Sequence, residues 1–260
     1  MALGIGVGAV AGLVRNVRAA HAVPDPIRVF GPRAEELAAA LAAGAESPGF
    51  VVAGGDPAAA AAVVALVDGE AEVSALAALR AGDRASKPLV AVRLDGTERP
   101  VPYVFATDVV PWPPEVPAPA ARVATRLAIR LQRNGRLLAA RLPLLREPVE
   151  HALAVNASVL AAGIAAASGE ERAHLPALTV LQAQLLLDLD NVEEGDAPST
   201  PDRIALAIAP RLGLATAVGV GSRAAYRLLP YRLRRLAGPA IAFAATRALG
   251  AVGPRLPLPK

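Results

Sequence analysis

The sequence predicts an α/β domain built on a small parallel sheet, followed by an all-α domain of apolar helices. Three observations carry this. Residues 23–110 alternate short apolar runs with glycine turns and alanine-rich helical stretches, the pattern of a parallel sheet covered on both faces. Residues 111–119 (PWPPEVPAP) hold five prolines in nine positions, which no regular element tolerates, so they read as a linker or a wrapping arm and a natural boundary. Residues 120–260 then read as successive helices, ending in a basic segment.

Taken in order, residues 1–22 begin with MALGIGVGAVAGLV, apolar, without a preceding positive region and followed by Arg15 and Arg18. That is the reverse of a secretory signal and too short to span a bilayer, so a short helix or lead is expected. The first strand is Ile27–Phe30, closed by Gly31-Pro32 and followed by a helix around Glu35–Leu41. A second strand, Phe50–Ala53, ends at Gly54-Gly55-Asp56-Pro57, where Asp56 caps and Pro57 fits the first turn of a helix through Ala58–Val64. A helix over Val73–Ala81 separates these from strands at Pro88–Leu94 and Tyr103–Val109. Beyond the prolines, helices are expected at Ala120–Arg133, Gly135–Leu145, Glu147–Ser168 and Leu175–Leu189. The first places Arg122, Arg126, Arg130 and Arg133 on one face, a solvated or acid-facing stripe.

Composition narrows the class. The 260 residues are 54% hydrophobic and 3% aromatic, with a net charge of +4 and 22 glycines in no triplet repeat, and the mean hydropathy is +0.41. Disorder, collagen and disulfide scaffolds are excluded. There is no cysteine, hence no thiol nucleophile and no thiolate metal site. The mild charge conceals a split: residues 1–200 carry 17 Arg and Lys against 22 Asp and Glu, a balance of −5, whereas residues 201–260 carry 10 against Asp202 alone, a balance of +9. In this tail Arg203, Arg211, Arg223, Arg227, Arg232, Arg234, Arg235, Arg247 and Arg255 alternate with aliphatic residues. That favours a membrane surface or an acidic protein partner and argues against nucleic acid, where stacking aromatics are expected. Ile204–Val220 and Gly238–Val252 reach spanning length only if Arg211 and Arg247 are accepted, at a cost of roughly 2.5–3.5 kcal/mol each at mid-membrane. Burial in a bundle or peripheral association fits better than spanning.

Motifs for catalysis are missing. Gly31-Pro32-Arg33-Ala34-Glu35-Glu36-Leu37 has the strand–glycine–helix position of a phosphate loop but no Lys-Ser/Thr, and Pro32 removes an amide. No Asn-Lys-x-Asp follows PLVAVRL, where Asp95-Gly96 reads as a turn. Gly219-Val220-Gly221-Ser222-Arg223-Ala224 fits G-x-G-x-x-A without the following strand or acidic residue, so it reads as a glycine-bearing helix. Asp188, Asp190, Glu193, Glu194 and Asp196 lack the glycine and twelfth-position glutamate of a calcium loop and read as a solvated helix end, available to pair with the arginine-rich tail. His21, His151 and His174 have no metal-ligand spacing, and no G-x-S-x-G exists. The remaining ligand-binding candidates are strand ends: Gly31, Gly54, Gly55, and Thr107 and Asp108 beside Tyr103. No metal and no cofactor is expected.

The helical half carries a resemblance. Leu137–Gly163, then Leu175, Pro176, Leu178, Thr179 and Gln182 in a Leu-Pro-x-Leu-Thr-x-x-Gln pattern, and a late apolar segment ending at Thr246 and Gly250, resemble the bacterial membrane-associated family known as domain of unknown function 697. Its members often accompany or are fused to Era-like GTPases. The likeness covers about residues 137–253 and departs where Leu187-Asp188-Leu189-Asp190-Asn191 stands in place of a Tyr-Gly. It implies that the α/β half is a degenerate GTPase-like or Rossmann-like domain without nucleotide motifs, YVFATDVV being similar to what precedes the helical domain in such relatives.

These observations together predict a non-catalytic, membrane-associated cytoplasmic protein on the inner face of the membrane. It would dock there or on another protein, a GTPase or a further copy of itself, through Arg211, Arg223, Arg227, Arg232, Arg234, Arg235 and Arg247. The alternative is a small-molecule or nucleotide-binding enzyme using the strand ends of the α/β domain.

Overall fold

The computed structural model describes residues 11–15, 22–69, 73–97, 99–113, 115–167, 175–194, 201–228 and 231–252. The chain divides into two compact units, Val23–Val149 and Met1–Ala22 with Glu150–Lys260.

In the first unit five strands form one sheet: β1 (Ile27–Phe30), β2 (Val51–Ala53), β3 (Ala62–Val67), β4 (Leu89–Arg93) and β5 (Val109–Pro111). Their order is β2-β1-β3-β4-β5 and every pairing is parallel. All residues of β3 and β4 are buried, as a sheet covered on both faces requires. Helices α1 (Ala34–Leu41) and α3 (Ala120–Ala139) pack on each other and on the sheet, while α2 (Val73–Arg84) packs with the single turn Pro57–Ala59. Leu79 of α2 is fully buried against Val63, Ala65 and Leu89, an arrangement worth about 1.5–3 kcal/mol for that side chain. The helix approaches closely because of Gly82, where a Cβ would stand 2.8 Å from Leu89 and 3.0 Å from Val63.

Two readings of the sequence are corrected here, and the proline-rich segment takes one of the two roles open to it. The helix expected over Ala58–Val64 is a turn at Pro57–Ala59 followed by the central strand β3. Alanine favours helix locally, but Ala-Val-Val-Ala-Leu-Val is an unbroken apolar run, and only eight residues separate β2 from β3, so the connection crosses β1 without a helix. The strand expected over Tyr103–Val109 is instead a turn with Tyr103 at φ 68 and a 3-10 turn at Ala106–Asp108, with β5 starting at Val109. The proline-rich segment wraps the unit: Trp112 is fully buried, its amide donates to the Arg93 carbonyl at 2.7 Å and its indole Nε1 to the Val116 carbonyl at 2.8 Å. Helix α3, which the sequence places with the later helices, lies in the sheet-bearing unit.

The second unit holds α5 (Leu175–Glu194), α6 (Pro201–Leu228), α7 (Tyr231–Val252) and the greater part of α4 (Pro143–Ala167), within which the boundary between units falls. Residues 11–15 are helical, and Leu13 is buried with Ala183, Leu187, Ile208 and Ala215. Pro148, Pro210 and Pro239 lie inside continuous helices, although each removes one backbone hydrogen bond. The segments expected at Ile204–Val220 and Gly238–Val252 are parts of longer helices, which begin earlier in both cases and in the first continue eight residues beyond Val220.

Candidate functional site

The carboxyl edge of the sheet is where doubly wound sheets take ligands, at the point where strand order reverses. Here that point lies between β1 and β3, and the Gly31 turn closes onto it. Gly31 has φ 103, and a Cβ there would stand 2.2 Å from the Leu66 carbonyl oxygen. The first turn of α1 brings Glu35 and Glu36, negative charge where a bound phosphate would stand. Arg33 adopts the left-handed conformation at φ 60. It pairs with both carboxylate oxygens of Glu36 at 2.8 Å and stacks over the Trp112 ring at 3.8 Å. The hydrogen bond between them raises the Arg33 pKa and lowers that of Glu36.

Gly54 and Gly55, both at positive φ, receive Arg28 of β1. Its Nη1 donates to the Gly54 carbonyl at 3.1 Å, and the guanidinium lies where a side chain on Gly55 would be, 2.0 Å from that Cβ position. At the end of β4 the buried Arg93 donates to Thr97 Oγ1 and to the Arg99 carbonyl, with Asp95 3.6 Å away. Asp95 accepts from the Thr97 amide at 3.1 Å and hydroxyl at 3.0 Å. Burial pushes its pKa up, but the Thr97 bonds, the Arg93 charge and the Gly69 amide together hold it below the ordinary value. Sequence reading missed Arg28 and Arg93. Their signal is an arginine inside an otherwise apolar strand, one ahead of Gly-Gly and one ahead of Asp-Gly-Thr.

Thr107 and Asp108 do not join this edge. They precede β5, and in a parallel sheet that places them at the amino edge, opposite Gly31, Gly54 and Gly55. Asp108 is buried and accepts from Arg130 Nε at 2.8 Å, while the Arg130 guanidinium lies 4.8 Å from the centre of the Phe105 ring. The strand-end candidates are thus divided between two edges. Among the described residues no group of three His, Asp or Glu converges as a metal site.

In the helical unit, residues far apart in sequence meet. Gln182 Nε2 of α5 donates to Thr246 Oγ1 of α7 at 3.0 Å, both buried. At Gly250 a Cβ would stand 2.7 Å from the Ala154 Cβ and 3.6 Å from Leu185, so glycine lets α7 approach α4 and α5. Ser158 is buried and donates to the Ala154 carbonyl at 2.6 Å. The Gly219–Ala224 stretch lies within α6, without a strand or turn before it.

The expected arginine surface is altered at one position. Arg211 is 8% exposed and paired with Asp190 of α5, so its charge is neutralised inside the bundle by the acidic helix end. Arg247 is half-buried, with Nη2 3.1 Å from His151 Nδ1. The side chains of Arg223, Arg227, Arg232, Arg234 and Arg235 lie outside the described residues. Apolar length sits elsewhere: among the described residues one helix is long and apolar enough to cross a membrane, α4, and 28% of its most apolar window is buried. Val159 and Leu160 are each 57% exposed. Set beside protein-family models, curated proteins and solved structures, the chain matches none of them.

Proposed function

We propose that this chain is a non-catalytic interaction protein of the cytoplasmic face of the inner membrane, held there peripherally by its helical unit. The observation that carries the reading is the apolar side of α4. A core helix of this length in a soluble protein is mostly buried, whereas α4 keeps Val159, Leu160 and Gly163 exposed along a stretch, His151–Ala167, without a charged residue. Those residues extend about 25 Å, short of the roughly 30 Å of a hydrocarbon core, and they include Asn156, so lying in the interface suits them better than crossing. The +9 balance of residues 201–260 adds attraction to anionic lipid.

The α/β unit, in this reading, is a degenerate GTPase-like or Rossmann-like module that serves as a protein-binding scaffold. Its glycine turns are occupied by Leu66 and Arg28 and the first turn of α1 is acidic, both unfavourable to nucleotide phosphates. A GTPase or a second copy of the chain is the protein partner that the family resemblance suggests.

Flotation of the full chain with vesicles tests the reading. The wild type should rise with vesicles containing anionic lipid, and Val159→Asp with Leu160→Asp should reduce the floating fraction severalfold. A wild type that stays at the bottom with every vesicle composition overturns it.

A further inference from the structure

Helix α3 has a charge pattern that the fold leaves unused. It carries Arg122, Arg126, Arg130, Arg133 and Arg136 and no acidic residue. Its inner side is spent on the sheet, through Val123, Ala124, Leu127, Ala128 and Leu131, all buried. Two of the arginines are also engaged within the unit: Arg130 with Asp108, and Arg136, which is buried. Arg122 and Arg126 are different. Arg122 is exposed and Arg126 partly so, and among the described residues neither has a carboxylate within ion-pair distance. Four positions apart, they share one side of the helix, and Ile129, 52% exposed, continues the same stripe one turn on.

Two like charges at this spacing weaken a helix unless something opposite in charge lies over them. The stripe joins arginine to an exposed aliphatic side chain and contains no aromatic residue for stacking on bases. That composition fits the boundary between headgroups and acyl chains, where guanidinium meets phosphate and isoleucine enters the apolar layer. Helix α3 is followed in the chain, after residues 140–142, by α4, the helix to which membrane contact is assigned above.

We infer that the Arg122–Arg126–Ile129 stripe of α3 is a docking surface for anionic phospholipid headgroups and confers a preference for negatively charged membranes. The inference rests on the membrane reading of the chain and adds to it which lipid is selected and by which residues.

The test compares the full-length wild type with Arg122→Gln/Arg126→Gln, substitutions at surface positions that remove charge and keep length. Partition is measured onto phosphatidylcholine vesicles with and without one third phosphatidylglycerol, at low and high salt. Each arginine near an anionic surface contributes roughly a fivefold factor, so the double variant should bind anionic vesicles roughly 25-fold less tightly while its binding to neutral vesicles is unchanged. The wild-type preference should also shrink at high salt. Ile129→Ser should weaken binding to both kinds of vesicle. If the double variant keeps the full preference for anionic vesicles, or if the wild type shows none while binding neutral ones, the inference is overturned and the membrane reading stands. If the wild type ignores lipid charge but is retained on immobilised polyglutamate in a manner that the double variant loses, the stripe serves an acidic protein and the lipid assignment is overturned. Absence of binding to any vesicle overturns the membrane reading together with the inference.

Discussion

Gln182 and Thr246 are 64 residues apart in sequence and joined by a buried hydrogen bond of 3.0 Å between α5 and α7. Gln182 Oε1 is also buried and has no partner among the described residues, so the side chain's amide nitrogen is the end the fold satisfies. Removing the acceptor leaves the whole amide buried and unpaired. Thr246→Ala should therefore destabilise the protein by about 1–3 kcal/mol. Gln182→Leu/Thr246→Ala together should cost less than Thr246→Ala and Gln182→Leu summed. Chemical unfolding of the four proteins reads this, and strict additivity would show that the two side chains do not interact.

The glycines of the carboxyl edge should differ in a defined order. Gly31→Ala must both hold φ 103 and displace the Leu66 backbone, so a loss of more than about 2 kcal/mol is expected. Gly54→Ala meets nothing within 4 Å and should cost only the left-handed backbone, about 1 kcal/mol. Gly55→Ala pushes aside the end of the flexible Arg28 side chain and should fall between them. Thermal unfolding gives the ranking; equal losses at Gly31 and Gly54 would contradict the close approach to Leu66.

At the amino edge, Arg130 neutralises Asp108, whose side chain is 5% exposed. Because Arg130 itself is 36% exposed, losing it should cost less than the several kcal/mol of a fully buried pair, about 2 kcal/mol for Arg130→Met. Unfolding measurements at neutral pH check the value, and a neutral effect would mean that Asp108 is adequately hydrated without its partner.

Glu36 sets a pH dependence. Its hydrogen bond from Arg33 lowers its pKa in the folded chain, so the folded state binds fewer protons than the unfolded one just below the ordinary glutamate value of about 4.3. The stabilisation is present above that pH and is lost as pH falls through the lowered value. Glu36→Gln should flatten the acid side of the stability curve below the ordinary glutamate value. An unchanged slope in the variant would assign the acid response to other carboxylates.

How much of this was legible depends on whether local and tertiary preferences agree. β1, β4 and α1 fall within about a residue of where the glycines, prolines and β-branched runs put them. β3 was not legible, because alanine and valine in an unbroken apolar run suit a buried helix as well as a buried strand, and pairing on both sides decided it. The helix break was expected at Asn134-Gly135 and lies instead between Ala139 and Pro143. Gly135 is retained in α3, where a Cβ would stand 3.5 Å from Val149. For the candidate site, Gly31, Gly54 and Gly55 were legible as turns, but the arginine under Gly55 and the carbonyl against Gly31 are contacts between separate strands. That the acidic end of α5 could pair with the arginine-rich tail was legible; that Asp190 would take Arg211 in particular is a contact between helices that the sequence leaves open.

Entry of the exposed side of α4 into lipid can be measured directly, because the chain has no cysteine. Leu160→Cys, labelled with an environment-sensitive fluorophore, reports polarity at that one position. On adding vesicles with one third anionic lipid, the label should show a blue shift and an intensity gain, and collisional quenchers attached to the lipid tails should then reduce the emission. A label at Leu160 whose emission is unchanged by vesicles, under conditions where the protein is intact and folded, would contradict it.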